Sequence, residues 1–250
     1  MIEIIDLKKR LDGQMVLNGV NLRIEDRELV AIIGRSGTGK SVLIKHLLGL
    51  FKPDSGSIII DGMDIVRFST RQLCKIRERF GVVFQGGALF DSMSIYDNIA
   101  FPLRERLRLS EEEIEAKVRG ALEDVSLLGH EHKFPAELSG GMKKRAALAR
   151  ALVTEPSIVL FDEPTTGLDP ITLNSIFRLI EKTHKKYNFT GIIVSHDIPE
   201  IFYIVDKVAI LEGGKIVEYG TPEEIRHSSN PVVRQLITGA TEGPIEATVL

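Results

Sequence analysis

The stretch Gly34-Arg35-Ser36-Gly37-Thr38-Gly39-Lys40-Ser41 follows the pattern G-x-x-x-x-G-K-[S/T]. The chemistry it supports is binding of a polyphosphate. Glycines let the backbone wrap closely around phosphate oxygens. A helix opening directly after the loop aims its free N–H groups and positive dipole end at the same anion. Lys40 adds a charge for the β- and γ-phosphates, and Ser41 a hydroxyl ligand for Mg²⁺. A second stretch, Ile158-Val159-Leu160-Phe161-Asp162-Glu163, reads as a buried strand ending in adjacent carboxylates. At the C-terminal edge of a parallel sheet such a pair faces a ligand crevice. Asp162 suits Mg²⁺, held through water, because that ion keeps several waters and takes few carboxylates. Glu163 suits orienting or deprotonating an attacking water. Alone, an acidic pair after a strand is also compatible with a turn; the phosphate loop in the same chain favours the chemical reading.

Two further sites stay open by residue type. Leu138-Ser139-Gly140-Gly141-Met142 precedes a helix predicted through Leu152. Ser139 reads as its N-cap, so the segment is either a plain capped start or, through the N–H groups the glycine pair exposes, a second anion site. His196 follows the strand-like Ile192-Ile193-Val194-Ser195 and is compatible with a hydrogen-bonded loop histidine. Most of the other histidines read as surface residues.

The elements that must position these residues alternate. Glu28–Ile33, Gly81–Phe84, Ser157–Phe161 and Gly191–Val194 are continuous apolar runs, as in a parallel sheet covered on both faces. Ser41–Leu50 between them has helical spacing, and strand-helix alternation argues for an α/β fold. Met1–Ile24 and Ser57–Asp61 read as antiparallel strands, and Val208–Val217 with Gly213-Gly214 as a hairpin. Gln85–Thr154 is mainly helical, with a capping box at Ser110-Glu111-Glu112-Glu113, and reads as an inserted lobe. Asn230 precedes a Pro-started helix candidate and then coil.

The 250 residues suit one large domain, or a core with a satellite lobe. A hydrophobic share of 43% excludes a disordered or collagen-like chain. The net charge of −3 weakens non-specific nucleic-acid binding, and no nucleic-acid partner is expected. The single cysteine, Cys74, allows no internal disulfide and fits a reducing compartment. With no membrane-spanning run and acids in place of a basic signal region, the chain is expected to be cytoplasmic and soluble.

Taken in order, the phosphate loop 34–41, Gln85 after a strand, Leu138–Met142, Asp162-Glu163, Gly167-Leu168-Asp169 and His196 resemble an ABC-transporter ATPase subunit over nearly the whole chain. The resemblance implies a P-loop NTPase (RecA-like) core with an antiparallel β layer and an inserted helical lobe. It places an ATPase domain over 1–229, with the lobe at about 87–154, and a C-terminal extension over 230–250. It implies ATP and Mg²⁺ as cofactors, bound by Gly34, Arg35, Ser36, Gly37, Thr38, Gly39, Lys40 and Ser41, with Ser41, Gln85 and Asp162 towards the metal. Glu163, His196 and Gln85 carry the reaction: Gln85 senses Mg²⁺ and couples lobe to core, and His196 contacts the γ-phosphate. The family works as a head-to-tail homodimer, in which Ser139, Gly140 and Gly141 of one chain close over the ATP of the other and Asp169 communicates across. There are two departures. Leu11 stands where an adenine-stacking aromatic is usual, and Met142 replaces the signature's final glutamine.

Phe84–Met93, Asp97–Glu105, Leu138–Arg150, Asp169–Thr172 and Ser195–Glu200 resemble more narrowly the ATPase subunit of Mla-type phospholipid (toluene-tolerance) transporters. That resemblance implies peripheral association with the cytoplasmic face of the inner membrane. It also implies an integral membrane permease, an MCE-domain lipid-binding protein and a STAS-domain protein as partners. The alternatives are an ATPase for another cargo and a soluble ABC ATPase; the single cassette without a heptad run argues against the latter. A regulatory module without turnover fits poorly with intact Asp162-Glu163 and His196.

Three segments remain, two of them with two readings. Ala88-Leu89-Phe90 and Met93 either line a groove for a short permease helix or pack in the lobe's core. Lys143, Lys144 and Arg145 read as a solvated helix face. The tail either reaches a neighbouring subunit or frays.

Overall fold

The computed structural model describes residues 1–245, so the last part of the 230–250 extension lies outside the described residues. The chain folds as β1 (Ile2–Leu11), β2 (Gln14–Ile24), β3 (Leu29–Ile33), α1 (Lys40–Leu47), β4 (Ser55–Ile60) and β5 (Met63–Asp64). Next come α2 (Thr70–Arg77), β6 (Phe80–Val83), α3 (Ile95–Arg106), α4 (Glu111–Asp124), α5 (Gly140–Leu152) and β7 (Ile158–Asp162). The remainder is α6 (Pro170–Tyr187), β8 (Thr190–Ser195), β9 (Lys207–Glu212), β10 (Lys215–Gly220), α7 (Pro222–Arg226) and α8 (Pro231–Thr238). Two compact units emerge, Met1–Leu73 with the chain from Val194 onward, and Cys74–Ile193.

The first unit holds the expected antiparallel layer, in the order β2-β1-β4-β5. Asp12 and Gly13, at φ 48° and 82°, make the turn between β1 and β2, and positive φ at both centre positions matches the right-handed twist of the flanking strands. Gly213 and Gly214 do the same between β9 and β10, at φ 56° and 73°. A Cβ on Gly214 would sit 2.7 Å from the Val16 carbonyl oxygen, so only glycine lets this turn approach β2, where its own carbonyl accepts from Asn18 N–H at 2.7 Å. β3 is buried along its whole length and pairs in parallel with β9, from Val30↔Lys207 to Ile33↔Ile210. α1 ends at Leu47 rather than Leu50, because Gly49 adopts φ 60° just past the Leu48 cap and closes it.

The second unit is built on β6, β7 and β8, with β7 between the other two and β6 parallel to it from Phe80↔Ile158 to Val83↔Phe161. Each helix start follows its sequence signal. The Ser94 side chain caps α3, Ser110 and Glu113 form the capping box of α4, and Ser139 caps α5. Asp169 accepts from Ile171 and Thr172 N–H at 3.1 and 3.0 Å to start α6, with Pro170 at its first position. Ile176, Phe177 and Ile180 bury its inner face. At its far end Lys186 and Tyr187 both donate to Asp124 of α4.

The structure refines three points of the sequence reading. Among the histidines His46 is the buried exception: it is 1% exposed, edge-on to Phe51, with Nδ1 2.8 Å from the Val42 carbonyl. Lys144 is 8% exposed, and Arg145 donates to Val125 O and Ser175 Oγ, so the basic run is not a solvated face. The tail does not fray over the described residues: Asn230 caps α8, Val233 is fully buried, and Gln235 bonds both backbone groups of Ile245. No helix among the described residues is long and apolar enough to cross a membrane.

Candidate functional site

The candidate residues divide between the two units. In the first, β3 feeds the loop 34–39 and α1 leaves it. A Cβ on Gly34 would meet the Leu211 carbonyl oxygen at 2.4 Å, so glycine is required by close packing against β9. Gly37 and Gly39 take φ 82° and 101°, left-handed values that let the chain double back. Ser36 and Gly37 form the turn before the bend at Thr38 and Gly39, and Thr38 Oγ1 donates to Arg35 O at 2.9 Å. Gly39 caps α1 without a side chain, so the first-turn N–H groups face the loop rather than a capping oxygen. Lys40 is 5% exposed, and its ammonium donates to Gly34 O and Arg35 O at 2.7 and 2.8 Å. Ser41 follows on the first turn. This arrangement can hold a polyphosphate by backbone N–H groups and one buried cation. His196 is exposed, directly after β8, and Asp197 beside it is turned back on Ser195. Leu11 ends β1, half-buried.

In the second unit β7 delivers Asp162, half-buried, and the chain then turns sharply at Glu163, whose φ of 48° is left-handed. For a residue with a side chain this conformation costs roughly 1–3 kcal/mol and persists only where the surroundings impose it. Glu163 Oε2 accepts from Gln85 Nε2 at 3.2 Å and from Thr166 Oγ1 at 3.0 Å. Asp162 and Glu163 offer carboxylate oxygens, donors whose chemistry fits a hard cation such as Mg²⁺.

The loop after Gln85 is fixed from two sides. Lys144 Nζ donates to Gln85 O, and Arg150 donates to Gly87 O and Ala88 O at 2.8 and 2.7 Å. Burial pushes the Lys144 ammonium and the Arg150 guanidinium below their usual pKa. Further on, the fully buried Asn98 accepts from Phe90 N–H at 2.8 Å and donates to Phe90, Met93 and Ser94 carbonyls. Phe84, Ala88, Phe90, Phe101 and Pro102 line an apolar groove of about 460 Å³ beside this loop.

Ser139 Oγ accepts from Met142 N–H at 3.3 Å and caps α5. Gly140 is exposed, and a Cβ on Gly141 would meet Thr172 Cγ2 at 2.7 Å, so this glycine lets α5 start close to α6. Donors from Thr172 and Ile171 hold the exposed Asp169 carboxyl below the usual carboxylate range.

A family model described as ABC transporter matches residues 17–166. The chain belongs to that family. It is an ATP-hydrolysing cassette, and proteins with the same pattern accompany it along its length. The intermembrane phospholipid transport system ATP-binding protein MlaF of Haemophilus influenzae is 41% identical over 98% of this chain and 93% of its own. A probable ribonucleotide transport ATP-binding protein of Mycobacterium bovis is 46% identical over 98% of this chain and 68% of its own. Among solved structures, cbiO1 of Clostridium perfringens, part of the ABC transporter complex cbiONQ, aligns with a TM-score of 0.85 at 34% identity, over 94% of this chain and 93% of its own. A dimeric ATP-binding cassette in a post-hydrolysis state with ADP and Pi aligns with a TM-score of 0.80 at 30% identity, over 89% and 99%.

Within this ABC cassette, sequence reasoning missed Thr166, Lys144, Arg150 and Asn98. The position of Asn98, four residues after a serine N-cap and inside an apolar helix, is a signal that could have marked it as a buried organiser. The others bond across the fold, and no local pattern announces that.

Proposed function

We propose that this ATPase energises a membrane phospholipid transporter of the Mla type. The observation that carries the proposal is two-way coverage: the similarity to the phospholipid-transport relative runs through nearly all of both chains. In this reading ATP lies on the loop 34–41, with Lys40 and the loop amides stabilising charge on the phosphates. Ser41, Asp162 and Gln85 are the residues that would hold Mg²⁺, which supplies charge neutralisation at the phosphates when bound. Glu163 accepts a proton from the water that attacks the γ-phosphate in line, while Gln85 and Thr166 hold its carboxylate. His196 contacts the γ-phosphate.

The similar solved cassette is dimeric; for this chain a head-to-tail homodimer supplies Ser139, Gly140 and Gly141 to the partner's ATP, with Asp169 beside them. The groove at Phe90 receives a short helix of an integral membrane permease, which seats the ATPase peripherally on the membrane's cytoplasmic face. An MCE-domain lipid-binding protein and a STAS-domain protein complete the assembly. The ribonucleotide-transport relative, at 46% identity, favours a second reading in which the same ATPase drives another cargo.

The test is purification of a tagged Glu163→Gln chain from native membranes in mild detergent, with mass spectrometry of what accompanies it. A permease, an MCE-domain protein and phospholipid are the expected companions. A different substrate receptor would keep the ATPase chemistry and overturn the cargo.

A further inference from the structure

Lys144, Ala147 and Arg150 lie three residues apart along α5, on one ridge of the helix. The segment 85–88 lies along that ridge. Gln85 O accepts from Lys144, a Cβ on Gly87 would meet Ala147 Cβ at 3.4 Å, and Gly87 O and Ala88 O accept the two arms of the Arg150 fork. The Arg150 guanidinium also lies over the Phe90 ring, 5.8 Å from its centre, at the wall of the apolar groove. At the other end of the ridge the Lys144 ammonium feels the charge of Glu163, and the side chain of the same Gln85 whose carbonyl Lys144 holds donates to Glu163 Oε2.

Burying a lysine and an arginine costs free energy unless both are hydrogen-bonded. Both bond backbone carbonyls of one four-residue loop. No carboxylate partner is needed to place a helix against a sheet, and apolar residues would do it at lower cost. What carbonyl-directed cations add is direction: they set which way a peptide plane faces, and so where the next side chain points.

We propose that Lys144 and Arg150 are positioning residues for ATP hydrolysis, acting through the loop 85–88 to set the Gln85 amide against Glu163. Arg150 reads the groove end of the loop, and Lys144 sets the end that touches the general base. A helix seated at Phe90 is thereby felt at Glu163 through one row of side chains on α5. The inference rests on the assignment of Glu163 as general base.

The experiment is steady-state ATP hydrolysis by the full chain, with kcat and KM measured separately for Lys144→Met, Lys144→Arg and Arg150→Lys, and for Lys144→Met combined with Glu163→Gln. A misplacement of the base by about 1 Å costs on the order of 100-fold. Lys144→Met is therefore expected to lower kcat by roughly 10- to 100-fold, with KM for ATP changed by less than about twofold. Lys144→Arg, which keeps a donor for Gln85 O, should recover most of that loss. In the Glu163→Gln background Lys144→Met should add less than about twofold, since groups acting as a unit are not additive.

Unchanged kcat in Lys144→Met overturns the proposal. So does a KM that rises in step with the loss, a failure of Lys144→Arg to recover, or full additivity with Glu163→Gln. If Lys144→Met does not fold, by far-UV circular dichroism, Arg150→Lys decides: it keeps the charge but loses the fork, and an unchanged kcat there overturns the proposal equally. Glu163→Gln alone separates the two levels. If it retains turnover, the base assignment fails; if it loses turnover while Lys144→Met does not, only the positioning role fails.

Discussion

Two residues in the cassette sit in demanding backbone surroundings. Glu163 carries a side chain at φ 48°, and its carboxylate is already oriented by Gln85 and Thr166. Glu163→Gln keeps the shape and the left-handed turn but cannot take a proton, so turnover should fall by roughly 10²–10⁴, the usual span for a general base. ATP binding by equilibrium dialysis should be unchanged; near-normal turnover would remove Glu163 from the role. Gly34 faces the Leu211 carbonyl oxygen at 2.4 Å from where a Cβ would stand. Because that neighbour is backbone, Gly34→Ala should cost about 1–3 kcal/mol and weaken ATP binding together with the melting temperature. A variant with normal stability and affinity would mean that the loop has room to shift. The phosphate loop was legible in the sequence because its chemistry is local: consecutive residues do the work. The pairing of Gln85 with Glu163 joins positions 78 apart and could be inferred only from the family resemblance. Lys144 was misread because burial is a property of what packs over a helix, not of a run of basic residues.

Elements show the same division. The N-caps at Ser110 and Ser139 and the Gly213-Gly214 hairpin were readable, since each depends on residues within one turn of each other. α6 was readable but passed over: Asp169 with Pro170 directly after is a start signal, and Leu173, Ile176, Phe177 and Ile180 have helical spacing. What no pattern could show is the link between α4 and α6 at Asp124. Burial alone would raise that carboxyl, but Lys186 and Tyr187 donate to it and hold it below the usual carboxylate range. Tyr187, buried and bonded to Asp124, is pushed up to about 12. A carboxyl with a lowered folded-state pKa adds stability that is present above its unfolded value, about 3.9, and is lost as pH falls through the folded value. Asp124→Asn should therefore lower the melting temperature at pH 7, and the gap to the parent chain should close as pH drops below about 4. A gap that stays constant across that range would assign the loss to packing instead.

At the scale of the whole chain, the α/β class and the antiparallel layer were legible from apolar runs and turn residues, whereas the way α8 is held was not. Its Val233 is fully buried and Gln235 clasps Ile245. Burying a residue of this size contributes about 1.5–3 kcal/mol, so truncation after His227 should lower the melting temperature by several degrees. An unchanged midpoint would make α8 a passive appendage. Phe90, exposed at the groove wall, offers a test of assembly: Phe90→Asp should reduce recovery of the permease from detergent extracts while the isolated chain keeps its melting temperature. Unchanged recovery would place the contact elsewhere. Cys74 has a practical consequence. It is the one thiol in the sequence, and it is exposed on α2. A maleimide dye therefore attaches at a single position per chain without any engineered cysteine. Mixing donor-labelled and acceptor-labelled preparations would time any exchange of partners directly, with energy transfer rising as chains re-pair.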